Sequence, residues 1–305
     1  MASRRALLLV LFTALGSWSK LTWGNTKFLF AFGDSYTTVG FNISAGVDSP
    51  VPGFTSSNGP NWVQALGGRY NVTNTRVFDL ASGGATIDAA LVPPFLPTVL
   101  SIVDQVNQFQ GILAPQPQGA RWESSNSLFA FWIGINDIGN SFSWNNITHV
   151  EFYRTILKRL DTQLELLYTS GARSFLFLTV PPTNRSPLFL DQGPDVAHRM
   201  KNLITAYNNE LTQSVNTFQK IHRDLDQVTI FDTQGIFNAL LDNAKTLGFV
   251  NATGYCEAYE NGTNGTTTQV KGCAPVSSYF WLNSLHPMFT VHDILAHALS
   301  TSLSS

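Results

Sequence analysis

The chain has 305 residues, 44% of them hydrophobic and 12% charged, the latter about half the roughly 25% usual for a globular domain. With 18 basic against 20 acidic side chains, it carries no field that would recruit nucleic acid or an anionic membrane. So few charges leave solubility to Asn, Ser and Thr, or to groups attached to them.

The opening residues, MASRRALLLVLFTALGSWSK, are laid out as a secretory leader. Arg4 and Arg5 supply the basic end, residues 6–15 the apolar run, and Ala14, Gly16 and Ser17 the small residues suited to cleavage. Residues 1–20 are therefore expected to be a signal peptide, cut somewhere between 16 and 24, with a single domain over 25–305. The run is too short to span a bilayer and no later stretch replaces it, so no membrane anchor is expected. An exported chain would carry glycans on its Asn-x-Ser/Thr sites, which fall at Asn42, Asn71, Asn146, Asn184, Asn251, Asn261 and Asn264. Cys256 and Cys273 flank the polar, turn-rich segment EAYENGTNGTTTQVKG. In an oxidising compartment their simplest pairing is a disulfide closing a surface loop, worth about 3 kcal/mol on chain-entropy grounds. No CxxC or neighbouring His supports a redox or metal role there, and neither a metal nor a cofactor is expected.

Five near-continuous apolar runs, at 28–32, 77–81, 128–133, 174–180 and 228–231, read as strands covered on both faces. Between them lie helical patterns. Thr148-x-x-Glu151 has the form of a capping box before Phe152, Ile156, Leu160 and Leu164, and Gly171 offers a stop. Beyond Pro194 and Asp195, the spacing of Met200, Ile204, Tyr207, Leu211, Val215 and Phe218 predicts one apolar face of a long helix. Strands alternating with helices imply an α/β fold, a three-layer α/β/α sandwich around a mostly parallel five-stranded sheet.

In such a sheet, ligands sit beyond the carboxyl ends of the strands. The first run ends in Gly33-Asp34-Ser35-Tyr36, the second in Ser82-Gly83-Gly84-Ala85-Thr86 and the third in Gly134-Ile135-Asn136-Asp137; Asn283-Ser284-Leu285-His286-Pro287 follows the last run. Serine attack on a carbonyl needs a base for the hydroxyl proton, and His286 can serve near neutral pH. The oxyanion that develops needs placed donors, which the Ser35 and Gly83 backbone N–H groups and the Asn136 side-chain amide can supply. A side chain at Gly83 would obstruct substrate at the main chain.

These four blocks, "FGDSYT", "ASGGAT", "GIND" and "SLHP", resemble those of the GDSL or SGNH hydrolase superfamily, in the same order and over nearly the whole mature chain. The resemblance implies an esterase with Ser35 as nucleophile and His286 as base. The wording "FAFGDSYTTVGFN", "GPNWV" and "TVPPTNRSP" is similar to that of secreted fungal acetylesterases, which implies an acetylated carbohydrate or other small ester as substrate; the chain is expected to be secreted and to act as a monomer. Two alternatives stand beside it: a lipase or phospholipase of the same superfamily, and a carbohydrate-binding protein that has lost catalysis. The superfamily usually has an aspartate three residues before the histidine, where this chain has Asn283. Its amide oxygen can hold the imidazole without offering it a charge; equally, a backbone carbonyl can do so and leave a Ser–His dyad.

Other residues have plainer readings. His149, His198 and His222, near helix ends, are expected to be solvated, and His292 and His297 lie on a terminal helix without acidic partners in register for a metal. Asp34 and Asp137 are expected to brace their loops by Asx-type bonding. Tyr279-Phe280-Trp281 is either core or the floor of a sugar site.

Overall fold

The computed structural model describes residues 21–305, so the expected leader lies outside the described residues. Five strands, β1 (Phe28–Gly33), β2 (Arg76–Asp79), β3 (Ser127–Trp132), β4 (Ser174–Leu178) and β5 (Gln227–Phe231), form one sheet in the order β2-β1-β3-β4-β5. Every pairing is parallel. Chain order reverses between β1 and β3, which puts the expected binding crevice at the carboxyl ends of the three strands that precede Ser35, the Ser82 turn and Asn136.

The helices are α1 (Trp62–Gln64), α2 (Ile102–Gln108), α3 (Ile135–Ser141), α4 (His149–Thr169), α5 (Pro187–Leu190), α6 (Pro194–Ile221), α7 (Thr233–Asp242) and α8 (Phe289–Ser304). α4 packs against α2 and α6, while α8 packs against α1. The α6 residues named from their spacing, Met200 through Phe218, are all buried. Thr148 is the N-cap of α4, but its side chain makes no capping bond, so the capping box suggested by Glu151 is not formed. Gly171, at φ +109°, ends that helix as expected.

The sheet owes its register to stacked phenylalanines. Phe78, Phe30, Phe129 and Phe175 occupy matched positions on four adjacent strands, with ring centroids 5.5, 4.8 and 5.8 Å apart. Phe32 and Phe131 repeat the stack one pleat further on, at 4.7 Å. Phe109 and Trp122 meet the Phe30 ring edge-on from above. On the opposite face, Trp132 of β3 meets Trp62, Phe237 and His292. A one-residue slip of β1 would turn its phenylalanines to the other face, so the positions of the strand ends are fixed by the core.

The end of β1 is tied down by one polar side chain. Gln105 of α2, fully buried, accepts the Gly33 N–H at 2.9 Å and donates to the Gly33 and Leu100 carbonyls at 2.8 and 2.9 Å. Gln105→Leu would keep the volume and strand the Gly33 N–H and the Leu100 carbonyl without partners. The expected cost is about 2–4 kcal/mol, read in urea as a lower midpoint at unchanged slope. An unchanged midpoint would show that these bonds are dispensable.

Candidate active site

Ser35 sits on the turn that leaves β1, and the turn is tight because of Gly33. A Cβ there would lie 2.5 Å from the Trp132 carbonyl oxygen and 2.9 Å from Thr37 Oγ1, so only glycine lets β1 and β3 run together up to the serine. Asp34 Oδ1 accepts the Tyr36 N–H at 2.9 Å, the Asx-type brace expected of it. Asp34 is fully buried, and burial raises its pKa to about 7. Tyr36, also buried, stacks edge-on against Trp132 at 5.2 Å and donates its hydroxyl to the Leu285 carbonyl at 2.6 Å. That bond joins the serine turn to a loop 249 residues away in the chain.

The loop carrying His286 is a hairpin anchored in the core. Trp281 and Pro287 form an antiparallel bridge, the Leu282 N–H donates to the His286 carbonyl at 2.8 Å, and the Met288 N–H to that of Phe280 at 2.8 Å. Tyr279, Phe280 and Trp281 are buried, at 8%, 0% and 1% exposure. They hold the loop in place, and the sugar-floor reading of these rings is thereby corrected.

His286 Nε2 lies 2.8 Å from Ser35 Oγ, and His286 Nδ1 lies 3.0 Å from Asn283 Oδ1. The same Asn283 oxygen accepts the Leu285 and His286 backbone N–H groups at 3.1 and 2.9 Å. Two backbone donors can only face the oxygen of the amide, so the orientation of Asn283 is fixed by its surroundings. An oxygen at Nδ1 requires the proton to be there. The Nε2 lone pair is then left facing the serine hydroxyl. Among the described residues no carboxylate bonds the ring, and burial lowers the His286 pKa to about 4. Of the two holders left open by the sequence, the Asn283 amide is the one in contact with the imidazole.

The second and third blocks meet beside Ser35. The Ser82 N–H donates to the Gly33 carbonyl at 3.1 Å, and Asn136 Nδ2 donates to the Ala85 carbonyl at 2.9 Å, leaving its second hydrogen unused. A Cβ built on Gly83 would be 4.0 Å from Ser35 Cβ, so Gly83 faces the serine. Gly84, at φ +84°, lies instead against the Phe95 ring. Neither the Ser35 nor the Gly83 N–H has a partner among the described residues. Asp137 does not brace its own loop: its Oδ1 accepts the N–H of Ile87, 50 residues away, at 3.0 Å, and burial raises its pKa to about 7. Gly134, ahead of Asn136, has φ +120°, and a Cβ there would strike the Tyr207 ring at 2.4 Å.

The remaining candidates fall elsewhere. Cys256 and Cys273 are joined in a disulfide with Cα atoms 6.2 Å apart. Asn42, Asn146, Asn261 and Asn264 are exposed, whereas Asn71, Asn184 and Asn251 are half-buried. His198 is exposed as expected. His149 and His222 are only half-exposed, and each has partners: His149 Nε2 bonds the Ser141 carbonyl at 3.1 Å, and His222 packs on Tyr168 at 3.9 Å and pairs with Glu165 at 2.7 Å. Position along a helix does not reveal such neighbours. His292 is buried against Tyr36 and Trp132, and burial lowers its pKa to about 3. Among the described residues, no group of three or more His, Cys, Asp or Glu is placed to hold a metal ion. Nor is any described helix long and apolar enough to cross a membrane.

The GDSL-like lipase/acylhydrolase family matches the chain over residues 29–299. An acetylesterase of Thermothelomyces thermophilus is 34% identical to it over 285 residues, which is 90% of this chain and 88% of the relative. An acetylesterase of Hypocrea jecorina is 24% identical, over 88% of this chain and 86% of the relative. Among solved structures, the acetylxylan esterase Axe2 of Geobacillus stearothermophilus shares the fold at a TM-score of 0.51, with 16% identity over 93% of this chain and 97% of its own. The chain belongs to the GDSL-like lipase/acylhydrolase family, and it is a carboxylic ester hydrolase.

The geometry fixes the sign of a pH effect. With its pKa lowered to about 4, His286 is neutral, and so able to accept a proton, at every pH above that value. For a neutral ester, kcat/KM is expected to rise through about pH 4 and stay level to neutrality. Asn283→Asp sets a carboxylate against Nδ1, favours the imidazolium and moves the rise upward by roughly 1–3 pH units. A pH–rate profile that does not move would contradict the Asn283–His286 contact.

Proposed function

We propose that the protein is a secreted, glycosylated serine acetylesterase that removes O-acetyl groups from small acetylated sugars or hemicellulose fragments. The observation that carries this reading is the 2.8 Å contact between Ser35 Oγ and a His286 Nε2 whose other nitrogen is held by Asn283. The relatives named acetylesterases support the acyl group. The leader-like opening and the four exposed Asn-x-Ser/Thr sites support export.

In the first half-reaction, Ser35 Oγ bonds to the ester carbon while its proton passes to His286 Nε2. The carbonyl oxygen becomes an oxyanion, which the Ser35 and Gly83 N–H groups and the second hydrogen of Asn136 Nδ2 stabilise. The bond to the sugar oxygen then breaks, and the imidazolium returns its proton to that oxygen. Acetyl-Ser35 remains. In the second half, water gives a proton to Nε2 as its oxygen bonds to the acyl carbon, and acetate leaves as Ser35 regains its hydrogen. Asn283 keeps the Nδ1 proton in place throughout and adds no charge to the imidazolium.

Purified wild type is expected to release acetate from an acetylated pentoside, and Ser35→Ala to lose about 10⁴-fold or more in kcat. Equal rates would reject the serine mechanism. A wild type that prefers long-chain to acetyl esters would replace this reading with a lipase.

A further inference from the structure

A pocket of about 280 Å³ opens beside the reacting groups, lined in part by Asn136 and by Leu285, the residue before His286. Its walls come from α3, α5 and the start of α6. None of the residues lining it is charged. An acetyl group, with the bulk of two or three waters at about 30 Å³ each, would leave most of it empty.

The pocket borders the loop that carries the base, since Leu285 of that loop is one of its lining residues. The departing oxygen must take its proton from His286 Nε2, so the rest of the alcohol has to lie close to the His286 loop. The wall formed by α5 is pinned to that loop, because the Leu188 N–H donates to the Ser284 carbonyl at 2.8 Å.

The polar groups in the pocket match hydroxyls rather than an acyl chain. Asn136 Nδ2, Asn140 Nδ2 and Gln192 Nε2 each donate to a backbone carbonyl, those of Ala85, Pro93 and Leu188, at 2.9, 3.1 and 2.7 Å. Each amide is thereby oriented, and each keeps a second N–H and a carbonyl oxygen with no partner among the described residues. A hydroxyl both donates and accepts, and with the spare Asn136 hydrogen reserved for the oxyanion, the Asn140 and Gln192 amides offer it both. Apolar surface completes the pocket. Phe142, one of its lining residues, is held from outside by the Arg199 guanidinium 4.7 Å from its ring. Neutral amides with apolar surface suit a pyranose ring, which presents hydroxyls at its edge and C–H groups on its faces.

We propose that this pocket is the subsite for a single neutral sugar ring that leaves with the ester oxygen, bound by Gln192, Asn140 and Phe142. It rests on the acetylesterase reading above. The volume of about 280 Å³ admits one such ring.

The test compares kcat/KM for a mono-O-acetylated methyl pentoside with that for ethyl acetate, whose alcohol is too small to reach the far wall. In Gln192→Leu, which removes the amide at nearly constant volume, the ratio of the two should fall roughly tenfold, as expected for one lost hydrogen bond to substrate. In Leu188→Trp, which fills the pocket, it should fall further. Equal losses on both substrates, or none, would overturn the subsite. So would a Leu188→Trp enzyme that loses butyrate and hexanoate esters selectively while keeping the acetylated sugar, since the pocket would then hold the acyl chain. A wild type that hydrolyses ethyl acetate but not the pentoside removes the sugar-ester reading itself, and the subsite with it. A wild type active on both, with variants that keep the ratio, removes the subsite alone.

Discussion

One oxygen atom organises this site. Asn283 Oδ1 gathers the N–H groups of Leu285 and His286 and the Nδ1 of His286, and so fixes the loop, the ring and the ring's tautomer together. A carboxylate there would do the same and also stabilise the imidazolium. The amide does only the first, because it carries no charge; its two backbone donors keep its oxygen, and not its nitrogen, toward the ring. With no charge from the amide to oppose it, burial makes the imidazole a base of low pKa: less driving force for proton abstraction, but a neutral ring far into the acid range.

That oxygen works only if the loop bearing it is held against the serine turn. The Tyr36 hydroxyl bridges to the Leu285 carbonyl, and Phe280, Trp281 and Met288 sink the base of the loop into the interior. On the opposite side, Gln105 clamps both backbone groups of Gly33, and the phenylalanine stacks set how far β1 projects relative to β2 and β3. The serine therefore stands on a rigid sheet edge, and the imidazole reaches it from a hairpin anchored in the same core. Its neighbours Asp34 and Asp137 are buried with pKa values raised to about 7, so below that pH both are mostly uncharged beneath a site that must build up negative charge above them.

Much of this was legible in the residues. Parallel strands buried on both faces write themselves as unbroken apolar runs, and Ser35, Gly83 and Asn136 follow those runs directly, in blocks that resemble those of the hydrolase superfamily. Three kinds of feature could not. Gln105 looks like any polar residue on a short helix, since nothing local shows that it is buried beside Gly33. Tyr36 gives no hint of a partner near the far end of the chain. The rings at 279–281 had two readings, and which side they faced depended on a hairpin closed by backbone bonds that any sequence can make. Asn283 was half legible: its spacing from His286 suggested a holder, while the two backbone donors that orient its amide are visible only in three dimensions. The pocket lined by Asn140 and Gln192 had no sequence trace, because it is assembled from α3, α5 and the residues that follow them.

The most direct test is to read the proton on the ring. In protein labelled with ¹⁵N-histidine, the His286 nitrogens should show a protonated Nδ1 and an unprotonated Nε2 at pH 6, with no conversion to imidazolium until the pH approaches about 4. A proton on Nε2 at pH 6, or an imidazolium already formed there, would mean that Asn283 does not set the state of the base.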